Sequence, residues 1–169
     1  MKIFNQLYES IEKNIELFAQ NEIQLLWQTG KVYYDGIIER TKNKDLTDVK
    51  IHQFIREMNM AYSAADIIIS RAGALSISEL CIIGKPTILI PSPNVSEDHQ
   101  TKNAMALVNK NAAVLVKDTE AKEKLGSGVL ELMKDETKLN QLSVNIKTLA
   151  KTNAANDIVN TITGEIPKS

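Results

Sequence analysis

Cysteine is all but missing from this chain, with Cys81 the only one in 169 residues. No internal disulfide can form, Cys-x-x-Cys and Cys/His zinc arrangements are excluded, and a reducing compartment fits. Proline and glycine are scarce, at four and seven, and no repeat, low-complexity tract or internal linker appears. Neither sign of charge dominates, since 20 basic residues face 21 acidic ones for a net charge of -1. The clear basic excess of a dedicated nucleic-acid binder is therefore lacking, although a local basic patch stays open. Long apolar runs are lacking too. Runs such as Ile67 to Ile69 behind Ala64 and Ala65 fall far short of the 18 or so residues a spanning helix needs. The opening MKIFNQLYES reaches Glu9 before an apolar stretch develops, so it does not read as a signal peptide. What is present is 43% hydrophobic residues. That predicts one globular domain over residues 1–169, burying roughly two thirds of its unfolded surface.

Phe4, Leu7, Ile11, Ile15 and Phe18 recur at spacings of three and four, which predicts a helix from about Ile3 to Ala19. Glu22 to Gln28 reads as a buried strand stopped by Thr29-Gly30. Further helices are predicted over Lys31 to Arg40, Ile55 to Ala64, Leu75 to Ile83 and Asp98 to Asn109. Strands are predicted over Val49 to Gln53, Asp66 to Ser70, Pro86 to Pro91 and Ala113 to Val116. From Thr119 to about Thr163 only helical periodicity remains, with breaks expected near Gly126-Ser-Gly128, Asp135 and Thr152. Strands alternating with helices at this spacing imply parallel pairing through crossovers, with helices on both faces. The fold class is α/β, a Rossmann-like doubly wound parallel sheet. Such a domain normally begins with a strand whose following loop meets phosphate. This chain opens on the helix that would come after that loop.

The segment richest in chemistry is Asp66-Ile-Ile-Ile-Ser-Arg-Ala-Gly-Ala-Leu-Ser-Ile-Ser-Glu79, a buried strand running through a small-residue turn into a helix. Gly73 lets a ligand approach the backbone, and free N–H groups with the helix dipole favour an anion. The same residues admit a second reading, with Ser76 and Glu79 forming an S-x-x-E capping box. His99 and Gln100 follow Ser96-Glu-Asp98, which fits an N-terminal capping cluster as well as a ligand site. Arg71 either assists a diphosphate or pairs with Asp66 or Asp98. Trp27 reads as core, His52 as structural, and the Lys42-Asn-Lys44 and Lys122-Glu-Lys124 runs as solvated faces.

Ser70 to Leu80, then Gly84-Lys-Pro-Thr-Ile-Leu-Ile-Pro91, then Asp98-His-Gln-Thr-Lys-Asn-Ala104 resemble the C-terminal half of the MurG family of peptidoglycan N-acetylglucosaminyltransferases. Trp27 to Lys31 and Phe54 to Met58 fit the same family in the same order. The resemblance implies the donor-binding half of a GT-B enzyme that moves GlcNAc from UDP-GlcNAc to lipid I, making lipid II. It also implies a bacterial cytoplasmic setting, peripheral to the inner face of the membrane, with no metal or other cofactor. Carried over by position, Ile55 presents its backbone to the uracil and Met58 packs near the nucleoside. Ala74, Leu75 and Ser76 line the phosphates at the helix start, Glu79 takes the ribose hydroxyls, and Gln100 meets the GlcNAc with His99 beside it, while Gly73, Ile77 and Ser78 belong to the same UDP-GlcNAc-binding segment. A carboxylate suits a vicinal diol, and an amide that donates and accepts suits a sugar.

The departure from the family lies at the front. Members carry an acceptor-binding domain with a proposed base, then a strand and a Gly-Gly-Ser loop, ahead of the point that Met1 to Gln6 matches. The expectation is a chain with most of a UDP-GlcNAc site, no catalytic residue of its own and no turnover in isolation. A different class of reading is a non-catalytic nucleotide-sugar binding module, or the soluble subunit of a split membrane-associated transferase. A third is a sugar-nucleotide epimerase of related fold, which would require carboxylates and a facing domain. The absent strand is expected to leave a gap between the Ile23 to Trp27 and Ile67 to Ile69 strands, inviting self-association. It is also expected to leave the first helix the least securely packed element.

Overall fold

A computed structural model describes residues 6–93 and 98–164. Its elements follow in the order α1 (Gln6–Gln20), β1 (Leu25–Gln28), α2 (Lys31–Thr41), β2 (Val49–His52), α3 (Met58–Ala64), β3 (Ile68–Ser70) and α4 (Ala74–Ile83). Then come β4 (Thr87–Leu89), α5 (His99–Val108), β5 (Val114–Leu115), a 3-10 turn at Asp118–Glu120, α6 (Ala121–Met133), α7 (Glu136–Lys147) and α8 (Ala154–Gly164). The expected front of the first helix, and Ser96 of the proposed capping cluster, lie outside the described residues.

All the pairing is parallel. β1 runs with β2, Leu25 opposite Val49 and Gln28 opposite His52, while β4 lies between β3 and β5. β4 is the most enclosed strand because both of its faces are covered, and its apolar run continues one residue past the ladder. Ile88 and Ile90 face one apolar cluster, Leu89 the other, and all three are fully buried. The first cluster gathers α1, α6 and Leu142 of α7 under both sheets. The second packs Leu80 and Cys81 of α4 with Ala104 and Leu107 of α5. Burial raises the Cys81 thiol above its ordinary pKa, which keeps it protonated and inert.

No ladder joins β1 to β3 among the described residues. Cavities of about 280 and 390 Å3 lie between them instead. The smaller gathers Glu22 to Leu25 with Asp66 and Ile67, and the larger reaches Gln28 on one side and Ser70 and Arg71 on the other. Entry ends meet entry ends, so the two strands run in the same direction with a slot between them. The expected gap is present.

The first helix is better held than expected. Its stripe of Leu7, Ile11, Ile15 and Phe18 is buried, with each such side chain contributing about 1.5–3 kcal/mol, and its main partner is α6 rather than the sheet. Ser10 and Asn14 are also buried there. Their side chains donate to carbonyls one turn back, Ser10 Oγ to Gln6 O at 2.6 Å and Asn14 Nδ2 to Ser10 O at 2.8 Å. These bonds satisfy the polar atoms without outside partners.

The same contact corrects the predicted break at Gly126-Ser-Gly128. α6 runs through both glycines, because Gly126 is where α1 approaches most closely: a Cβ built there would fall 2.0 Å from Asn14 Oδ1 and 2.7 Å from Leu17 Cδ2. The break at Asp135 is real, with its carboxylate accepting from Lys138 N–H at 2.8 Å as the N-cap of α7. Gly84 closes α4 in the left-handed conformation, at φ 71°.

The two glycines of α6 make a matched test. Gly126→Ala should destabilise the fold by about 1–3 kcal/mol, the usual cost of overpacking. Gly128→Ala, which meets nothing within 4 Å, should stabilise it by about 0.5–1 kcal/mol through helix propensity. Urea unfolding of both variants measures the pair, and equal effects would mean that α1 does not press on Gly126.

Candidate functional site

The order β2-β1, slot, β3-β4-β5 reverses direction at the slot. In open α/β sheets such a switch point is where loops at the carboxyl ends of the strands diverge and leave a crevice. Here those loops are Thr29-Gly30 after β1, residues 53–57 after β2, residues 71–73 after β3 and the segment after β4.

The turn after β3 leads straight into α4. Gly73 is the N-cap, with extended backbone and no side-chain cap, so the helix starts at Ala74. That corrects the Ser76–Glu79 capping box. Ser76 sits inside the first turn and Glu79 in the second, too far along to reach the orphan N–H groups of the start. Glu79 is exposed, and its Oε2 accepts from Tyr62 Oη of α3 at 3.2 Å. Burial, then the Glu79 charge and the hydrogen bond to it, raise the Tyr62 phenol above its ordinary pKa, so Tyr62 stays a donor at neutral pH. Ala74 and Leu75 stand at the open helix end, Leu75 88% exposed. Ser78 Oγ donates to Ala74 O at 3.1 Å. Ile77 turns toward the α4–α5 core, and its N–H bonds Gly73 O at 2.9 Å.

Gln100 takes a position that its sequence setting could not reveal. Its Oε1 accepts from Ala72 N–H at 3.2 Å and Ser92 N–H at 2.9 Å, joining the turn after β3 to the segment after β4. Its amide nitrogen is the end left to donate to a ligand. Asn103, one turn on, donates to Ala72 O at 3.1 Å. The two amides hold both polar groups of the Ala72 backbone, and sequence reasoning missed Asn103. His99 is exposed beside them. Asp98 precedes α5 at φ 55° with no side-chain cap, so the expected capping role is not what it performs.

On the β1 side, Ile55 lies in the loop rather than in the predicted helix, which begins only at Met58. Its N–H donates to Gln28 Oε1 at 2.8 Å, a second link that sequence spacing hides. Ile55 and Met58 line the same cavity as Ser70 and Arg71. Arg71 pairs with neither Asp66 nor Asp98: its Nη1 meets Asp118 Oδ1 at 2.5 Å and Ile90 O at 2.9 Å. Asp118 is buried, which fixes the guanidinium near the crevice floor. Tyr8 Oη donates to Thr29 O at 2.9 Å. The carboxyl edge thus carries an uncapped helix start, an exposed carboxylate, a braced amide and a small apolar floor. No group of three or more His, Cys, Asp or Glu side chains among the described residues is placed to hold a metal ion. No described helix is long and apolar enough to cross a membrane.

The structure resembles Acinetobacter baumannii MurG with a TM-score of 0.78 and 26% identity, over 94% of this chain and 46% of that one. A UDP-N-acetylglucosamine 2-epimerase shares the fold alone, at a TM-score of 0.61 and 12% identity over 98% of this chain and 42% of that one. In sequence, the chain is 54% identical over 153 residues to a Cytophaga hutchinsonii UDP-N-acetylglucosamine--N-acetylmuramyl-(pentapeptide) pyrophosphoryl-undecaprenol N-acetylglucosamine transferase. That alignment covers 90% of this chain and 40% of the relative, so the chain spans less than half the length of such proteins. Residues 1–162 match the glycosyltransferase family 28 C-terminal domain. By that match and this fold, the chain belongs to the MurG-type C-terminal domains of glycosyltransferase family 28.

Proposed function

We propose that this domain is the UDP-GlcNAc-holding half of an inverting N-acetylglucosaminyltransferase whose acceptor is lipid I and whose product is lipid II. The observation that carries the reading is the arrangement around Ala72 to Glu79. The helix start is uncapped, its loop is clamped by Gln100 and Asn103, and Glu79 stands one turn in with no capping duty. The first N–H groups of α4 and its dipole suit a diphosphate. Glu79 suits a ribose diol, and the Gln100 amide nitrogen suits a sugar oxygen. Ile55 and Met58 form the apolar flank against which a base would lie, with the Gln28 side chain exchanging its hold on Ile55 N–H for the base.

In the transfer itself, the acceptor hydroxyl attacks the anomeric carbon as the bond to the diphosphate breaks. Charge gathers on the leaving UDP, where the α4 dipole stabilises it electrostatically. The proton leaves the acceptor hydroxyl to a base, which we assign, with the lipid I site, to the rest of the enzyme. The isolated chain then binds donor without turnover. In the whole enzyme the domain works at the inner face of the bacterial membrane, held there peripherally.

Glu79→Ala should weaken UDP binding by about 1.5–3 kcal/mol, the range for hydrogen bonds to a charged group. The thermal midpoint should hardly move, because Glu79 caps nothing. Calorimetry with UDP against both proteins measures this, and unchanged affinity would remove Glu79 from the ribose site. A transfer assay with labelled UDP-GlcNAc and a lipid I analogue tests the wider reading. The isolated chain should give no product, and sustained turnover by it alone would place a base within this domain after all.

A further inference from the structure

We infer that Tyr62 is the positioning residue of the ribose site: its hydroxyl holds the Glu79 carboxylate in the setting from which that carboxylate reads the diol of a ribonucleotide. The inference rests on the donor reading above and adds to it the residue that makes the site selective for a ribose over a deoxygenated pentose. Glu79 needs such a partner. It stands exposed in the second turn of α4 and caps nothing. A glutamate side chain in solvent samples many rotamers, and freezing one of them around a ligand costs conformational entropy. Tyr62 Oη donates to Glu79 Oε2 at 3.2 Å, which selects one setting before the ligand arrives, and a group ordered in advance loses less on binding.

Tyr62 is suited to hold still. Its ring is partly buried against the cluster that contains Leu80, Cys81, Ala104 and Leu107, and a tyrosine has few χ angles to fix. The helix that carries it is tied down near its end. Lys85 Nζ, just ahead of β4, donates to Ser63 O at 3.0 Å, and Ala65 N–H donates to Ala61 O at 3.1 Å. The direction of the hydrogen bond is fixed as well, because an ionised carboxylate only accepts and the phenol keeps its proton at neutral pH.

Bond counting leaves room for the diol. A carboxylate offers about four lone-pair sites. Tyr62 takes one of them on Oε2, which leaves Oε1 and the other side of Oε2 for adjacent hydroxyls. The placement along α3 agrees. Met58, Ala61 and Tyr62 recur at spacings of three and four and line one cavity together with Ile55, so they form a single face of the helix. Met58, which we set against the base, precedes Tyr62 by about 6 Å of helix rise. A nucleoside presents its base and then its diol, and this face meets them in that order. A pentose without the hydroxyls would leave the carboxylate that Tyr62 holds without its ligand.

Calorimetry with UDP, and with the dideoxy-UDP that lacks both ribose hydroxyls, tests this on the wild type, Tyr62→Phe, Glu79→Ala and the double variant. Phenylalanine keeps the ring and its packing, so the thermal midpoint of Tyr62→Phe should stay with that of the wild type. The wild type should prefer UDP by at least about tenfold. Tyr62→Phe should weaken UDP by about threefold to tenfold, leave dideoxy-UDP unchanged, and add nothing in the Glu79→Ala background. An equal loss for both ligands would make Tyr62 a structural residue and overturn the inference. So would unchanged UDP affinity in Tyr62→Phe, or the same loss with and without Glu79. Those results keep the wild-type preference for UDP, so the donor reading would stand without Tyr62. A wild type that binds both ligands alike, or neither, would take Glu79 from the ribose and overturn the reading and the inference together.

Discussion

Two half-sheets that share no ladder must be held side by side by something other than backbone hydrogen bonds, and here it is one apolar cluster beneath both. Trp27 and Val49 reach it from the first sheet, Ile88 and Ile90 from the second, and α1 with α6 closes it from below. Hydrophobic burial is non-directional and scales with area, so it can bridge a gap that strand pairing cannot. The close contact of α1 with α6 at Gly126 follows from this. If α1 rode higher, Ile15 and Phe18 would leave the cluster that unites the halves. Surface ion pairs such as Arg40 with Glu12 at 2.9 Å add at most about 1 kcal/mol each and do not decide the arrangement.

The site inherits its geometry from the same constraint. Because the chain order reverses at the slot, the loops after β1 and β3 diverge there and open the crevice. Arg71 stands at the boundary, tied to buried Asp118 and to Ile90 O, so the floor of the crevice is braced from the β4–β5 side. Gln100 and Asn103 brace the turn after β3 from α5. Each of these bonds links segments far apart in sequence. The loop that meets the ligand in our reading is held by side chains, and its own peptide groups at the start of α4 stay open.

Much of this was legible in the sequence, for physical reasons that differ by element. The Asp66 to Ser70 run and the Pro86 to Pro91 run read as strands because both faces of a parallel strand demand apolar residues. The stripe of α1 read as a helix through its spacing. Ser76 and Glu79 were misleading because a capping box is a local pattern, whereas the true N-cap is set three residues earlier by the turn at Gly73. Gly126-Ser-Gly128 was misleading for the opposite reason. A glycine that breaks an isolated helix is what a tightly packed one needs, and only the position of Asn14 distinguishes the two. The Gln28 to Ile55 bond, the Gln100 clamp and the Arg71 pairing with Asp118 join residues 27, 28 and 47 positions apart. Periodicity carries no information at those separations. The slot was foreseen from the order of elements, but the cavities that fill it and the residues lining them needed the structure.

The central claim is that a nucleotide sugar is held at the carboxyl edge of the switch point by the start of α4 and the loops beside it. Titrating UDP into the isotope-labelled chain and following its backbone amides by NMR tests this most directly. The account predicts the largest shifts at Ile55, Ala74, Leu75, Ser76 and Gln100, with Phe18, Gly126 and Leu142 unmoved. Shifts centred on the charged cleft of Glu9, Arg40 and Lys122, or none at millimolar UDP, would contradict it.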